Sequence, residues 1–250
     1  GESGVDPMLR TKLDDNNVLP SLSLIFSPTE KMNVRLVGAQ TLARPEFREL
    51  APFSFFDFAG GNTIIGNPKL RSTTIWNADL RWEWFPSAAE VVAISVFYKY
   101  FDSPIERIAG SSVPRIVTFS NAKYAQNVGA ELEARKNLEF LGESFDNWSI
   151  GANFAYVYSR VRLRDSCQPD VDPFCENALT DASTNRERPL QGQSPYVVNA
   201  YVDYTDDDSG TTARLLYNAF GRRIEDVGAQ RMPDIYEEAI HNFDHVDARK

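Results

Sequence analysis

The sequence predicts an all-β fold, an antiparallel meander of strands that forms part of a transmembrane β-barrel. Two observations lead to this prediction. Segments that alternate apolar and polar side chains recur about eight times along the chain. The connections between them alternate between short and long. Successive residues of a strand point to opposite faces, so each segment has one apolar face for lipid and one polar face for the lumen.

The clearest alternation runs from Trp76 to Trp84. Trp76, Leu80 and Trp84 fall on one face of the predicted strand, and Asp79 and Arg81 fall on the other. One face is therefore aromatic and apolar while the other is charged, which is the pattern of a wall between lipid and water.

Composition is compatible with this fold and excludes other classes. Hydrophobic residues make up 42% of the chain, the mean hydropathy is −0.37, and no run approaches the roughly 18 apolar residues of a membrane-spanning helix. A barrel hides its membrane signal because only every second residue faces lipid. The net charge of −9 leaves no basic stripe to neutralise phosphates. We therefore expect no nucleic acid partner.

In the first half of the chain, the predicted strands are paired. Residues 18–26 and 32–41 form the first pair, because apolar side chains alternate in both and a Pro-containing turn joins them. Residues 73–85 and 91–101 form the second pair on the same grounds. Residues 115–137 are predicted as one long or interrupted strand, since Ala and Leu alternate there with Glu and Arg.

The second half continues the same pattern. Residues 148–162 alternate through aromatic and aliphatic side chains. Residues 195–204 and 211–222 follow as a pair around a short acidic turn, and residues 242–250 look like the start of another strand. We therefore expect the meander to continue through this half of the chain.

The lengths of the connections alternate along this meander. Short turns are predicted at 27–31, 86–90, 141–147 and 205–210. Long irregular loops are predicted at 42–72, 102–114, 163–193 and 223–241. Alternate connections of a meander lie on the same rim, so one rim carries short turns and the other carries long loops. Outer-membrane barrels have this asymmetry, whereas a soluble β-sandwich, the alternative, has less reason to sort its connections by length.

The first long loop contains the candidate ligand-binding residues, which are arginines at its start and aromatics in a Gly/Pro-rich setting: Arg44, Arg48, Phe53, Phe55, Phe56 and Phe58. Exposed aromatics on a loop are typical of ligand or partner surfaces. The alternative is a loop that packs on itself or on its neighbours, with the arginines in local ion pairs.

Cysteine and histidine usage points away from metal or cofactor chemistry. Cys167 and Cys175 lie in one polar segment, where they could close a disulfide suited to an oxidising location, or stay as free thiols. His241 and His245 have a spacing that suits a metal only on a helix, and we expect a loop entering a strand there. No nucleophile, P-loop or dinucleotide motif occurs. We expect no metal, no cofactor and no enzymatic activity.

Three segments resemble landmarks of the barrel of TonB-dependent outer-membrane receptors. Residues 41–52 (TLARPEFRELAP) follow a strand and open a long loop, residues 66–70 (GNPKL) lead into the next strand, and residues 190–199 (LQGQSPYVVN) border a later one. They occur in the family's order and spacing, and the resemblance covers about residues 18–250.

This resemblance implies a segment of a barrel of about 22 strands whose lumen holds a plug domain. Such receptors sit in the outer membrane of Gram-negative bacteria and import a scarce nutrient, such as a siderophore or similar chelate, without covalent chemistry. The implied partners are outer-membrane lipid, the plug and remaining strands of the same receptor, TonB through that plug, and an unknown small-molecule ligand.

Two parts are expected within the chain. Residues 1–17 are polar and are predicted to be a flexible N-terminal segment. Residues 18–250 are predicted to form the partial barrel of about eight strands, incomplete at both ends. The alternatives are a small complete barrel of about eight strands with a structural or adhesive role and, less in keeping with the connections, a soluble β-sandwich binding domain.

Overall fold

The computed structural model describes residues 16–57, 61–110, 115–163, 184–185, 187–229 and 232–249. In chain order the elements are β1 (Ser21–Thr29), β2 (Met32–Ala43), α1 (Phe47–Leu50), β3 (Ser54–Asp57), β4 (Asn62–Ile65), β5 (Thr73–Trp84), β6 (Val91–Asp102), β7 (Ile105–Ala109), β8 (Ile116–Asn121), β9 (Tyr124–Asn137), β10 (Trp148–Arg162), β11 (Tyr196–Asp206), β12 (Thr211–Phe220), β13 (Arg223–Gly228), β14 (Ile235–Glu237) and β15 (Ile240–Arg249). None of the helices in these ranges is long and apolar enough to cross a membrane.

Nine strands form one sheet, which we name the wall sheet. Its order is β1-β2-β5-β6-β9-β10-β11-β12-β15, and every neighbouring pair is antiparallel. The predicted antiparallel meander is confirmed, with nine strands in place of about eight. Neighbours in this sheet are also neighbours among the long strands of the chain, so short turns and long connections alternate between its two ends.

The two faces of the wall sheet differ as the alternation predicts. Trp76 and Leu80 are 51% and 45% exposed, whereas Glu83 on the opposite face is 6% exposed. The registers extend the exposed apolar face across strands, because Leu80 lies opposite Leu36 on β2 and Val96 on β6. No second layer of described residues covers this face.

Glycines on the wall sheet make room for large aromatic rings. Gly129 lies directly opposite Phe97, and Gly151 lies directly opposite Tyr201. A Cβ at either glycine would collide with the ring of that partner. The ring therefore covers backbone that has no side chain of its own, an arrangement that pins the register of both strand pairs.

Three of the four long connections contain short strands, so the prediction of loops without strands is wrong there; most of the fourth, at 163–193, lies outside the described residues. Six short strands from three of them form a second sheet, which we name the loop sheet, in the order β14-β13-β7-β8-β4-β3. Two of its pairs, β7–β13 and β4–β8, are parallel. The predicted strand at 115–137 is split, since β8 belongs to the loop sheet and β9 to the wall sheet. The two parallel pairs join different connections, which local alternation does not reveal.

The buried apolar residues lie in three small clusters rather than in one core. One consists of Ile108, Ile224, Val227 and Ala229, with Tyr236 packed against it. A second, built around Val117, joins β4, β7 and β8 of the loop sheet. The third is formed by Ala122, Ala125, Val161 and Leu163, where the loop end of the wall meets the connections. Apolar burial is thus concentrated at the loop end of the molecule.

Candidate functional site

The helix α1 and the strand β4 are fixed to each other at the start of the first long connection. The backbone N–H of Glu46 donates to Oε2 of Glu49 at 2.8 Å, which closes the helix start. Gly66, just after β4, lies against the helix end, where a Cβ would come 2.7 Å from the carbonyl oxygen of Arg48. Asn67 donates its backbone N–H to the carbonyl of Glu49. The short helix is held by backbone contacts that leave no room for a side chain at residue 66.

A cavity of about 610 Å³ lies between α1, the β3–β4 hairpin and one face of β7 and β8. Its charged lining residues are Glu46, Arg48, Glu49, Asp57 and Arg107. Its apolar lining residues are Phe55, Phe56, Ile64 and Phe119. A concave site with aromatic walls and a few converging polar groups has the character of a small-molecule site.

The electrostatics of this cavity are set by partial burial. Burial raises the pKa of Glu49, the N–H of Glu46 opposes the rise, and the charge of Glu46 adds to it. Arg107 places its Nε 2.9 Å from Oδ1 of Asp226 on β13, although neither atom is aligned for a hydrogen bond. Burial also raises the pKa of Asp226, and Arg107 opposes that rise. The side chain of Arg107 is 28% exposed and lines the cavity.

This arrangement can hold a small molecule with planar groups. Phenyl rings stack on flat apolar surfaces, and guanidinium groups bind anionic oxygens in pairs and stack on aromatic planes. Arg48 and Arg107 line the cavity with guanidinium groups, and Phe55 and Phe56 line it with aromatic rings. Among the described residues, no three His, Cys, Asp or Glu side chains gather where they could hold a metal ion.

The cavity brings together three of the six candidate ligand-binding residues, namely Arg48, Phe55 and Phe56. Arg44 follows the end of β2 and is exposed, and Phe53 is 63% exposed; neither lines the cavity. Phe58 lies outside the described residues. A ligand-binding role for these six residues remains a prediction.

Arg107 and Phe119 are cavity residues that the sequence analysis missed. They form a cross-strand pair between β7 and β8, but both strands were predicted as parts of other elements. The available signal was the β-branched content of residues 105–108 and 116–118, which is weak in segments of five or six residues.

A buried ion pair lies on the opposite side of β7. Nη1 and Nη2 of Arg188 donate to Oε1 and Oε2 of Glu106 at 2.6 and 2.8 Å. Burial lowers the pKa of Arg188, but the hydrogen bonds and charge of Glu106 more than compensate, so the pKa is raised. This pair joins the connection before β11 to the loop sheet.

The inner face of the wall sheet carries a row of ion pairs. Glu83 accepts hydrogen bonds from Arg35 at 2.8 Å and from Arg81 at 2.9 Å, and Arg81 also donates to Glu133 at 2.6 Å. The two arginines and Glu133 are each more than a quarter exposed. This face is thus charged, internally paired and open to an aqueous or protein-filled interior.

The remaining candidate residues have separate outcomes. Cys167 and Cys175 lie outside the described residues, so their pairing remains a prediction. β15 begins at Ile240, slightly before the strand predicted at 242–250. His245 therefore lies on a strand as predicted, and His241, which was expected in the preceding loop, lies on the same strand. Residues four apart on a strand are separated by about 13 Å, too far to share one metal ion. His241 instead contacts Tyr217, whose hydroxyl lies 2.7 Å from Nδ1.

Residues 2–242 match the family model described as TonB dependent receptor-like, beta-barrel. The chain belongs to this family. The match covers the loop sheet and the wall sheet up to the start of β15, and it confirms the resemblance seen at residues 41–52, 66–70 and 190–199. Among curated proteins, no sequence matches the chain.

Solved structures of other receptors share the fold. The siderophore receptor PirA from Acinetobacter baumannii has 13% sequence identity and a TM-score of 0.58, covering 94% of this chain and 35% of that one. A mutant of the ferric enterobactin receptor PfeA from Pseudomonas aeruginosa, in complex with enterobactin, has 16% identity and a TM-score of 0.56, covering 90% and 32%. PirA from P. aeruginosa has 19% identity and a TM-score of 0.54, covering 82% and 34%. The chain thus spans about a third of the length of these structures.

Proposed function

We propose that the chain is part of an outer-membrane receptor of a Gram-negative bacterium that imports a scarce ligand, such as a siderophore or similar chelate, by TonB-dependent transport. One observation carries this proposal: a wall with an exposed apolar face bears, at its long-connection end, a folded loop sheet with an aromatic cavity. Family membership supports the receptor class. The solved relatives named as siderophore and ferric enterobactin receptors support the choice of ligand.

The partners follow from the two faces of the wall. Outer-membrane lipid covers the apolar face, whose side chains include Trp76 and Leu80. The plug domain and the remaining barrel strands of the same receptor complete the inner side, and TonB acts through that plug. In this proposal residues 18–250 are a partial barrel, and the chain performs no covalent chemistry and binds no nucleic acid. Most of the N-terminal segment predicted at 1–17 lies outside the described residues.

We assign ligand contact to the cavity at the loop end. Arg48 and Arg107 approach it from α1 and β7, and Phe55 and Phe56 approach it from β3. These side chains come from two connections that are far apart in sequence, so the cavity exists only when the loop sheet is assembled. A ligand bound there contacts both connections at once. This suits a site whose occupancy affects the barrel beneath it.

The test is uptake by the full-length receptor in its own cell. A strain lacking the gene is grown under iron limitation with single ferric siderophores, and ⁵⁵Fe uptake is measured after complementation. We expect the wild-type gene to restore uptake of at least one chelate. Arg48→Ala/Phe56→Ala should lower the apparent affinity by about tenfold or more, the effect of losing a contact worth about 1.4 kcal/mol.

The matched control is Phe47→Ala on the same helix. Phe47 is 95% exposed and does not line the cavity, so uptake should stay at the wild-type level. If deletion of the gene changes the uptake of none of the chelates, the proposed class of ligand is wrong. If the double variant and Phe47→Ala behave alike, the cavity is not the binding site.

A further inference from the structure

We infer that Glu106 and Arg188 are positioning residues that hold Arg107 in the cavity. That Arg107 contacts the ligand rests on the proposed function, but the positioning itself does not. Glu106 and Arg107 are consecutive on β7, so their side chains leave the strand on opposite sides. Fixing one of them fixes the backbone from which the other projects.

The pair is the most deeply buried pair of charges in the described part of the chain. The side chains of Arg188 and Glu106 are 1% and 0% exposed, and both guanidinium NH₂ groups are bound to the carboxylate. Nε of Arg188 is buried without a hydrogen-bond partner among the described residues. Burying two charges costs several kcal/mol per ion, and apolar residues of similar volume often give equal or greater stability. Stability alone therefore does not account for this pair.

Gln191 extends the pair towards Arg107 and β13. Its side-chain oxygen accepts the backbone N–H of Arg107 at 2.5 Å, and its own backbone N–H lies 3.4 Å from Oε1 of Glu106. Its side-chain amide donates to the carbonyl of Glu225. Gln191 thus links the backbone of Arg107 to the neighbouring strand β13. Arg188 anchors the segment of chain that carries Gln191.

The ladder of paired residues between β7 and β13 is short. Only Ile108–Val227 and Ala109–Gly228 pair in register between these parallel strands. The Nε of Arg107 lies close to Oδ1 of Asp226, but the two atoms are not aligned for a hydrogen bond. On its other edge β7 pairs with β8 along its whole length. Towards β13, the buried pair and Gln191 add the contacts that the short ladder lacks, and they thereby help to set the direction of Arg107 into the cavity.

The test uses the full-length receptor and needs no ligand. Phenylglyoxal, which modifies accessible guanidinium groups, is applied for increasing times, and the modification of Arg107 is followed by peptide mass spectrometry. The key variant is Glu106→Leu/Arg188→Met, which removes both charges at once. Because such replacements are often neutral for stability, a melting temperature within the wild-type error shows that the receptor is still folded.

In this folded variant we expect the rate of Arg107 modification to change by about fivefold or more, while modification of Arg214 stays constant. Arg214 pairs with Asp203 on the wall sheet, far from β7, and serves as the internal reference. A wild-type rate at Arg107 in the folded variant would show that the pair only stabilises the loops and would overturn the inference.

A second variant keeps the test decisive if the double replacement does not fold. Gln191→Ala removes the tie to the backbone of Arg107 but leaves the buried charges paired. It should change the Arg107 rate in the same direction, and an unchanged rate would again overturn the inference. Failure of the uptake experiment, in contrast, would leave both of these rates untouched, so the two proposals fail separately.

Discussion

The wall sheet and the loop sheet are both antiparallel in most of their pairs, but they are assembled differently. In the wall sheet every strand pairs with the next long strand of the chain, and one residue in two faces an apolar exterior. In the loop sheet β7 pairs with β13 and β4 pairs with β8, across long stretches of chain. The wall sheet follows from local alternation, whereas the loop sheet forms only after the wall has brought separate connections to one rim.

The ion pairs of the two sheets also differ, in how deeply their side chains are buried. The wall pair Arg214–Asp203 has side chains that are 50% and 16% exposed, whereas Arg188–Glu106 is almost completely buried. Exposed pairs contribute little because water screens them. Buried pairs leave an uncompensated charge when one partner is lost. The loop sheet should thus be far more sensitive to the loss of one charge than the wall sheet.

The largest effect is expected from Arg188→Met, which leaves the carboxylate of Glu106 buried without its partner. We expect a loss of about 3–5 kcal/mol in the local stability of the loop sheet. Arg214→Gln on the wall sheet should cost about 1 kcal/mol or less. Hydrogen–deuterium exchange of β7 and β12 in the full-length receptor measures both. Equal losses would contradict the difference in burial between the two pairs.

The wall sheet has its own sensitive positions on the lipid face. Leu80→Arg should cost about 2–4 kcal/mol if Leu80 lies near the bilayer midplane, because hydrocarbon does not solvate a guanidinium. Asp79→Asn, on the inner face of the same strand, should cost much less. Denaturant titration of the receptor refolded into lipid vesicles provides both values. Equal costs for the two variants would mean that the assigned facing of β5 is wrong.

The sequence predicted the wall sheet well because its signal is local. The predicted strand at 148–162 coincides with β10. The other wall strands differ from prediction by a few residues at their ends, except β9, which is only the second part of the strand predicted at 115–137. The side-chain period of two is strict there, since each face meets a different solvent. The sequence analysis also singled out Arg48, Phe55 and Phe56, which line the cavity, because aromatics and arginines in a Gly/Pro-rich connection are themselves a signal; their ligand-binding role stays a prediction.

The loop sheet could not be predicted on the same grounds. Its strands have three to six residues, too few for a period to show. Two of its five strand pairs join different connections. Arg107, Glu106 and Arg188 carry no sequence signal that distinguishes them from surface charges. Their roles depend on which connections meet at the rim, and that is a property of the assembled wall.

Glycine-to-alanine substitutions test how closely the backbone is packed near the loop sheet and in the wall sheet. Gly66→Ala places a Cβ 2.7 Å from the carbonyl oxygen of Arg48 and 2.8 Å from the backbone nitrogen of Ala51. Because both contacts are to backbone, α1 must shift, at a cost of about 1–3 kcal/mol. Gly38→Ala in the wall strand β2 meets nothing within 4 Å and is the control.

Exchange protection of residues 47–51 and the ligand affinity of the full-length receptor report the shift of α1. Both should fall in Gly66→Ala and stay at the wild-type level in Gly38→Ala. Loss of protection in the Gly38 variant, or none in the Gly66 variant, would show that the helix is not held by this close approach.

The smallest effect is a pH dependence confined to the loop sheet. Burial raises the pKa of Asp226; Arg107 and Arg115 oppose the rise, and Glu225 adds to it. A carboxyl with a raised pKa in the folded state binds its proton more tightly there than in the unfolded state. The local stability of β13 should therefore increase as the pH falls through the raised pKa towards the ordinary Asp value of about 3.9. Asp226→Asn should flatten this dependence in hydrogen exchange of β13 corrected for the intrinsic rate, and a slope that persists in this variant would assign the effect to another group.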